Sequence, residues 1–345
     1  MTPGSRSRRA RRSILVASAG ALAVLIVVGV LLLRPHQPPE PPEETDPAAE
    51  AHLVEHTRSS SITVPGKATQ AAIYSFDASK GETIALFSEI EVNLKTKPGG
   101  ARTAFARFSL ECRSESGASS EGVLGTENIH SHQSRTFHLS MTYTPSRSGR
   151  QGCSVSVDVP SYPTGHGSAR LDLTSSIRST SSPTPGATMD SQMDQEPIVV
   201  RPGETRTLFS PITPLPSAGE GVFAGQGIHL TTCTIVNGSQ DRTPTNLCTP
   251  DTINRGGSTV ILNSTLQEIR DGSICRRHDL FEESFSISYD THHAFASFGP
   301  SGEPMAMTCG TSARVATSIY NLGPAPLVVH RRTSVSVLAP VDEPG

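Results

Sequence analysis

No tryptophan occurs among the 345 residues, aromatic residues make up 5%, and lysine appears four times against 25 arginines. The first shortage bears on sugar recognition, because carbohydrate sites on extracellular β-sandwiches lean on exposed aromatic faces. Phe105 and Tyr162 are the candidates that remain, and an edge-strand or loop aromatic is the plainer reading of each. The lysine shortage, with abundant alanine, glycine and proline, implies a GC-rich genome and hence a bacterial source. Catalytic signatures are missing as well. There is no G-x-S-x-G elbow, no G-x-x-x-x-G-K phosphate loop, no H-E-x-x-H and no S-x-x-K. Nothing in the sequence therefore points to activated-serine, phosphate or zinc chemistry, and no catalytic, cofactor-binding or metal-ligating set is assigned.

Charge is absent from one long stretch. Ser13 to Leu33, SILVASAGALAVLIVVGVLLL, runs 21 residues without an ionisable side chain. As a helix it spans about 31 Å, against a hydrocarbon core of about 30 Å. Arg6, Arg8, Arg9, Arg11 and Arg12 precede it, and only Arg34 follows before a run of acids. The positive-inside rule puts the N-terminus in the cytoplasm and the rest outside. A cleavable signal has a shorter apolar region and a small-x-small site just after it. Here Ala17-Ser18-Ala19 lies near the start of the run and Ala49-Glu50-Ala51 far beyond its end. The expectation is a retained single-pass anchor in the cell membrane.

Residues 34–56 follow as a stalk. Pro35, Pro38, Pro39, Pro41, Pro42 and Pro47 favour polyproline II, and Glu40, Glu43, Glu44, Asp46 and Glu50 repel one another. Without the five cytoplasmic arginines, 24 basic residues face 32 acidic ones, a net of −8 outside. Such a surface does not attract nucleic acid or anionic polymers.

Beyond the stalk the dominant period is two. Cys153, Val155, Val157 and Val159 alternate with Ser154, Ser156 and Asp158, and Phe137, Leu139, Met141 and Tyr143 alternate with polar neighbours. Ala104, Ala106, Phe108, Leu110 and Cys112 repeat the pattern, with Phe105 placed on the outward face. One buried and one wet face, in short strands parted by Gly, Pro and Ser clusters, predict an all-β chain. Ser264 to Arg270, STLQEIR, fits either a short capped helix or the continuation of a strand. The expected plan is a cytoplasmic basic tail over 1–12, a membrane helix over 13–33 and the stalk over 34–56. Two β-sandwich domains follow in tandem, 57–177 and 196–340, joined by a Ser/Thr/Pro linker over 178–195 and ending in a tail over 341–345. The domain openings SITVPGKATQAAIYSF and PIVVRPGETRTLFSP are alike, which suggests one topology used twice.

All six cysteines lie beyond the membrane run, two in the first domain and four in the second, with no C-x-x-C pair. Even numbers in an oxidising compartment predict disulfides. The repeat pairs Cys112 with Cys153 and Cys233 with Cys309, leaving Cys248 with Cys275, although four cysteines allow three connectivities. Cys112 and Cys153 both lie on apolar faces, where a bridge across the sandwich would sit.

His130 and His132 share a strand face, but ENIHSHQS offers no further ligand. His292 and His293 are adjacent and cannot share one, and His166 sits in a turn between glycines. Asp190, Asp194 and Glu196 lack the D-x-D-x-D-G spacing of a calcium loop and read as a solvated acidic patch. Asn237 and Asn263 head glycosylation patterns that are accidental in a bacterial protein.

Ile62 to Leu86, ITVPGKATQAAIYSFDASKGETIAL, resembles the opening of the bacterial pre-peptidase C-terminal domain family. The shared features are a Pro-Gly turn, an aromatic strand IYSF and a Gly-centred hairpin. The resemblance implies an extracellular β-sandwich without catalytic residues, of the kind attached to secreted hydrolases. The next segment, EIEVNLKTKPGG, departs from the family's D-x-D-L-Y strand. The expected role is non-enzymatic: an extracellular or envelope-associated module that binds a protein or polymer partner. An accessory to a hydrolase, a hydrolase with a site built from scattered loop residues, and a structural spacer are the alternatives.

Overall fold

The computed structural model describes residues 53–341 apart from 65, 97–101, 115–119, 132, 160–168, 181–182, 185, 191–196, 216–220, 234–255, 290, 301 and 331–332. The expected membrane helix over 13–33 and its basic tail, with His132, Tyr162, His166, Asp194, Glu196, Asn237 and Cys248, lie outside the described residues. Among the described residues no helix is long and apolar enough to cross a membrane.

The first half comprises β1 (Leu53–Val64), β2 (Gly66–Ala78), β3 (Ile84–Thr96), β4 (Thr103–Ser114), β5 (Ser120–His130), β6 (Ser134–Tyr143), β7 (Gly149–Val159) and β8 (Ala169–Thr180). They form two four-stranded antiparallel sheets ordered β1-β8-β3-β6 and β2-β7-β4-β5. Leu86, Ile90, Leu94, Phe108, Leu110, Phe137, Val155 and Val157 fill the space between them. This order, with every sheet neighbour distant along the chain except β4 and β5, is the double Greek key of a jelly roll.

The second half comprises β9 (Thr188–Asp190), β10 (Ile198–Val200), β11 (Thr205–Phe209), β12 (Ile212–Pro214), β13 (Gly221–Thr231), β14 (Ser258–Arg270), β15 (Ser273–Ile287), β16 (His293–Phe298), β17 (Met305–Ala306), β18 (Ser312–Asn321), β19 (Leu327–Val329) and β20 (Val335–Val341). One sheet runs β10-β19-β13, with β20 continuing β19 along the same edge of β13 and β16 on the other edge. The facing sheet runs β11-β18-β14-β15. With the split strands counted once, the order of the first half is repeated. The likeness of the two sequence openings is therefore one topology used twice. Ser264–Arg270, ambiguous in sequence, is part of β14.

Several boundaries move. Residues 53–56 belong to β1 rather than to a stalk, and 178–180 complete β8. Residues 188–190, expected in the linker, pair as β9 with β20. Residues Glu50–Gly345 form one compact unit, because the two sandwiches share a core. Phe223, Phe295, Val335, Val337 and Ala339 of the second half pack into the apolar cluster of the first.

Cys112 bonds to Cys153 with Cα atoms 4.0 Å apart. The two are register partners on β4 and β7, so the bridge links neighbours within one sheet and does not cross the sandwich. Cys275 bonds to Cys309, which replaces the expected Cys233–Cys309 and Cys248–Cys275 pairs. Cys233 is disulfide-bonded too. The repeat misled because the positions are not equivalent: Cys112 lies in a fourth strand and Cys233 just past a third, and Cys309 precedes its seventh strand where Cys153 lies within one.

Candidate functional site

β13 reads GVFAGQGIHLT, and all eleven residues are buried. A strand wet on one side would alternate; this one is covered on both faces. Val222, Ala224, Ile228 and Leu230 face the core of the second sandwich. Phe223, Gly225, Gly227 and His229 face the first. The glycines are required by closeness: a Cβ on Gly225 would meet Phe87 at 2.9 Å, and the Phe295 ring lies against Gly227 and also against Gly125 of β5. A Cβ on Gly125 would stand 2.9 Å from that ring. One phenylalanine thus fills a slot with a glycine wall from each sandwich.

Beside this slot lies a cluster of imidazoles. His229 Nε2 is 2.7 Å from Thr126 Oγ1 of β5 and 2.8 Å from His293 Nδ1, and its Nδ1 is 2.7 Å from Thr333 Oγ1. The His330 ring stacks on it with centroids 4.6 Å apart. The His293 N–H donates to Asn128 Oδ1 of β5. Burial holds all three imidazoles below their ordinary pKa, with mutual repulsion adding to the effect at His229 and His293, and it pushes His330 down to about 4. They are neutral at pH 7, and threonine hydroxyls can satisfy either tautomer of His229.

Cys233, His292 and His293 bring one sulfur and two ring nitrogens within 4.8 Å of one another. The Cys233 sulfur is tied in a disulfide and supplies no thiolate, while His293 Nδ1 is hydrogen-bonded. The group of Glu268, Cys275 and Cys309 is disqualified by its own disulfide. Glu268 is instead a structural acceptor. Burial raises its pKa, but hydrogen bonds from His278 and the N–H groups of Cys309, Thr308 and Gly310 outweigh that and hold it low.

Between Thr126 and Asn128 on β5, Glu127 accepts the Phe295 N–H and lies 3.5 Å from Arg135, which reaches Glu283 of β15 at 3.9 Å. Burial pushes the Glu127 carboxyl up to about 8, against the opposing pull of Arg135. It is protonated at neutral pH.

A separate polar cleft of about 320 Å³ opens on the β1-β8-β3 sheet, lined by Ser59, Glu91, Asn93, Arg170, Asp172 and Thr174 among others. Register places Ser59, Thr174 and Glu91 in one row and Ser61, Asp172 and Asn93 in the next. Lys95 at 2.9 Å and Arg170 at 2.5 Å hold the Asp172 carboxyl below its usual range. The cleft is rich in hydrogen-bonding groups and keeps its carboxylate charged, as suits binding rather than proton donation.

Of the residues singled out from sequence, His130 ends β5 and is part-exposed, and Asp190 ends β9. Phe105 is the clearest reversal: expected outward, it is 5% exposed, with its ring 4.8 Å from His293. Its outward face is covered by the second sandwich. His229, Glu127 and the paired glycines were not singled out. The spacing of three glycines in GVFAGQG was the available signal of close backbone approach.

No protein-family model matches the chain, and no curated protein does. Among solved structures, the CBM22-1–CBM22-2 tandem of Paenibacillus barcinonensis Xyn10C aligns over 84% of this chain and 95% of that chain, at 10% identity and TM-score 0.22. Peptide:N-glycanase F aligns over 84% and 98%, at 11% identity and TM-score 0.31. An infectious bursal disease virus particle protein aligns over 94% and 81%, at 13% identity and TM-score 0.24. Similarity at this level carries no argument about what this chain does.

Proposed function

We propose that this chain is a non-enzymatic binding protein displayed outside a bacterial cell membrane, anchored by residues 13–33, that engages an extracellular polymer or protein partner. The observation that carries this reading is the cleft on the β1-β8-β3 sheet, where serine, threonine, asparagine and a cation-held aspartate present many hydrogen-bonding groups on a rigid frame. Disulfides in both halves fit an oxidising compartment. The resemblance of residues 62–86 to a domain carried by secreted hydrolases points the same way. Two experiments test the reading. Removing Ser13 to Leu33 is expected to release the protein from the membrane fraction or abolish export, and unchanged retention defeats the anchor. Retention on a panel of envelope polysaccharides and surface-protein fractions is expected for the native chain and lost with Asp172→Ala plus Arg170→Ala. Equal retention of the variant places binding elsewhere.

A further inference from the structure

Among the described residues β15 is the longest strand, at 15 residues, and it ends its sheet. One edge pairs with β14 along its length; the other makes no backbone hydrogen bond to any described residue. The charges on it are separated by sign. Arg276 and Arg277 lie toward its start, Asp279 lies next to its centre, and Glu282 and Glu283 lie beyond it.

The bulge at Leu280 matters to how these charges are presented. Asp279 pairs with Thr265 and Phe281 with Ser264, leaving Leu280 as the extra residue. Alternation therefore slips by one between the two charged pairs. Arg277 and Glu282 come to share the solvent face, opposite Gln267 and Asn263, while Arg276 and Glu283 share the core-side face, opposite Glu268 and Leu262. In a regular strand, residues five or seven apart would point to opposite faces.

We propose that β15 is the interface through which two copies of this chain pair, edge to edge and antiparallel about a two-fold axis. Two β15 strands laid antiparallel bring Arg277 opposite Glu282 and Arg276 opposite Glu283, each pair made twice by symmetry and each on a common face; Asp279 falls at the axis beside its own copy, so four attractive pairs outweigh one like-charge approach. A parallel in-register pair sets arginine against arginine and glutamate against glutamate, so the same pattern selects against the wrong orientation. Charges and bulges on an edge strand commonly repel any incoming strand. Here their order about the strand centre is self-complementary, and the occupant it fits is a second copy, joined isologously so that the assembly closes at two. The sheet of one protomer then continues into that of its partner.

Arg276 already contacts Thr308 and Glu268, and Glu283 contacts Arg135. The test therefore uses Arg277 and Glu282, which make no ion pair among the described residues. The full-length chain is purified in detergent and its association followed by sedimentation. The native protein is expected to be a dimer whose dissociation constant rises with added salt. Arg277→Glu and Glu282→Arg should each weaken it by about tenfold or more, since each reversal turns two attractive pairs repulsive. The double variant Arg277→Glu/Glu282→Arg should recover the native constant. A monomeric native chain overturns the proposal, as does a dimer indifferent to both single reversals, which locates the contact elsewhere. A double variant no better than the singles overturns it too, since a general folding defect and not charge pairing would then account for the loss.

Discussion

Phe295 is held between Gly125 and Gly227, so the cost of a methyl group there has nowhere to relax. Gly227→Val is expected to destabilise by about 1–3 kcal/mol or more by overpacking, and Phe295→Ala by about 3–5 kcal/mol by opening a cavity. Gly152→Ala, whose added Cβ meets nothing nearer than 4.0 Å, is the control and should stay near neutral. Urea midpoints of the three variants decide this, and a neutral Gly227→Val would refute the tight slot. The titratable residues of the seam predict a pH profile. His229, His293 and His330 have depressed folded pKa values, so the unfolded chain binds more protons below about 6.5 and stability falls as the medium is acidified through that value. Glu127 has a raised one, so its contribution is full below about 4.5 and is lost as pH rises toward about 8. His138, also held low by burial where β6 meets the second half, makes four imidazoles against one carboxyl, so the acid limb is the steeper, with a maximum a little above 6.5. Glu127→Gln should flatten the alkaline limb and steepen the acid one in denaturation curves between pH 4.5 and 8.5, because the Glu127 contribution declines across that whole range. None of these residues was legible as a site in sequence. Their roles come from contacts between β5, β13 and β16, whose contacting residues lie 64 to 168 positions apart and carry no local pattern.

At the scale of elements, β13 and β18 make a controlled comparison. β18 alternates between buried and part-exposed along its ten residues, as a strand with one wet face does, whereas β13 is buried throughout. Ser318→Asp on the wet face of β18 is expected to cost no more than about 0.5 kcal/mol. Val315→Asp on the other face should cost several kcal/mol. On β13 neither parity is tolerant: Ala224→Asp and Gly225→Asp should both prevent soluble expression, and a folded Gly225→Asp protein would show that the seam opens. The alternating strands were readable from sequence because period two is the mark of a sheet with one solvated side. β7 (CSVSVDV) follows it residue for residue, and β6 (FHLSMTY) follows it except at Ser140, which is buried against Gly225 of the second half. Phe105 was misplaced by the same rule, since the rule assumes water where the second sandwich lies. The Cys275–Cys309 disulfide escaped for a related reason: Cys275 is the third residue of β15, and the loop carrying Cys309 is fastened to Glu268 on the neighbouring strand, a proximity no spacing reveals.

For the whole molecule, two jelly rolls that share apolar contacts should not melt separately. Calorimetry is expected to show one transition over Glu50–Gly345, with calorimetric and van't Hoff enthalpies in agreement. Two resolved transitions would mean that the shared cluster adds little coupling. The tandem all-β plan was visible in advance, and so was the reuse of one topology. The fusion of the two halves was not, because the Ser/Thr/Pro-rich connection reads as a spacer even though part of it pairs as β9.

β13 resembles a party wall, with each neighbour's fittings hung on it. A change on one side is felt on the other, so the halves cannot be refurbished independently. A chimera that took its first sandwich from a relative and its second from this chain would have to carry Phe87, Gly125 and Ser140 together with Gly225, Gly227 and Phe295, or it would bring two sound halves that do not fit. In such a molecule the unit of inheritance is the pair.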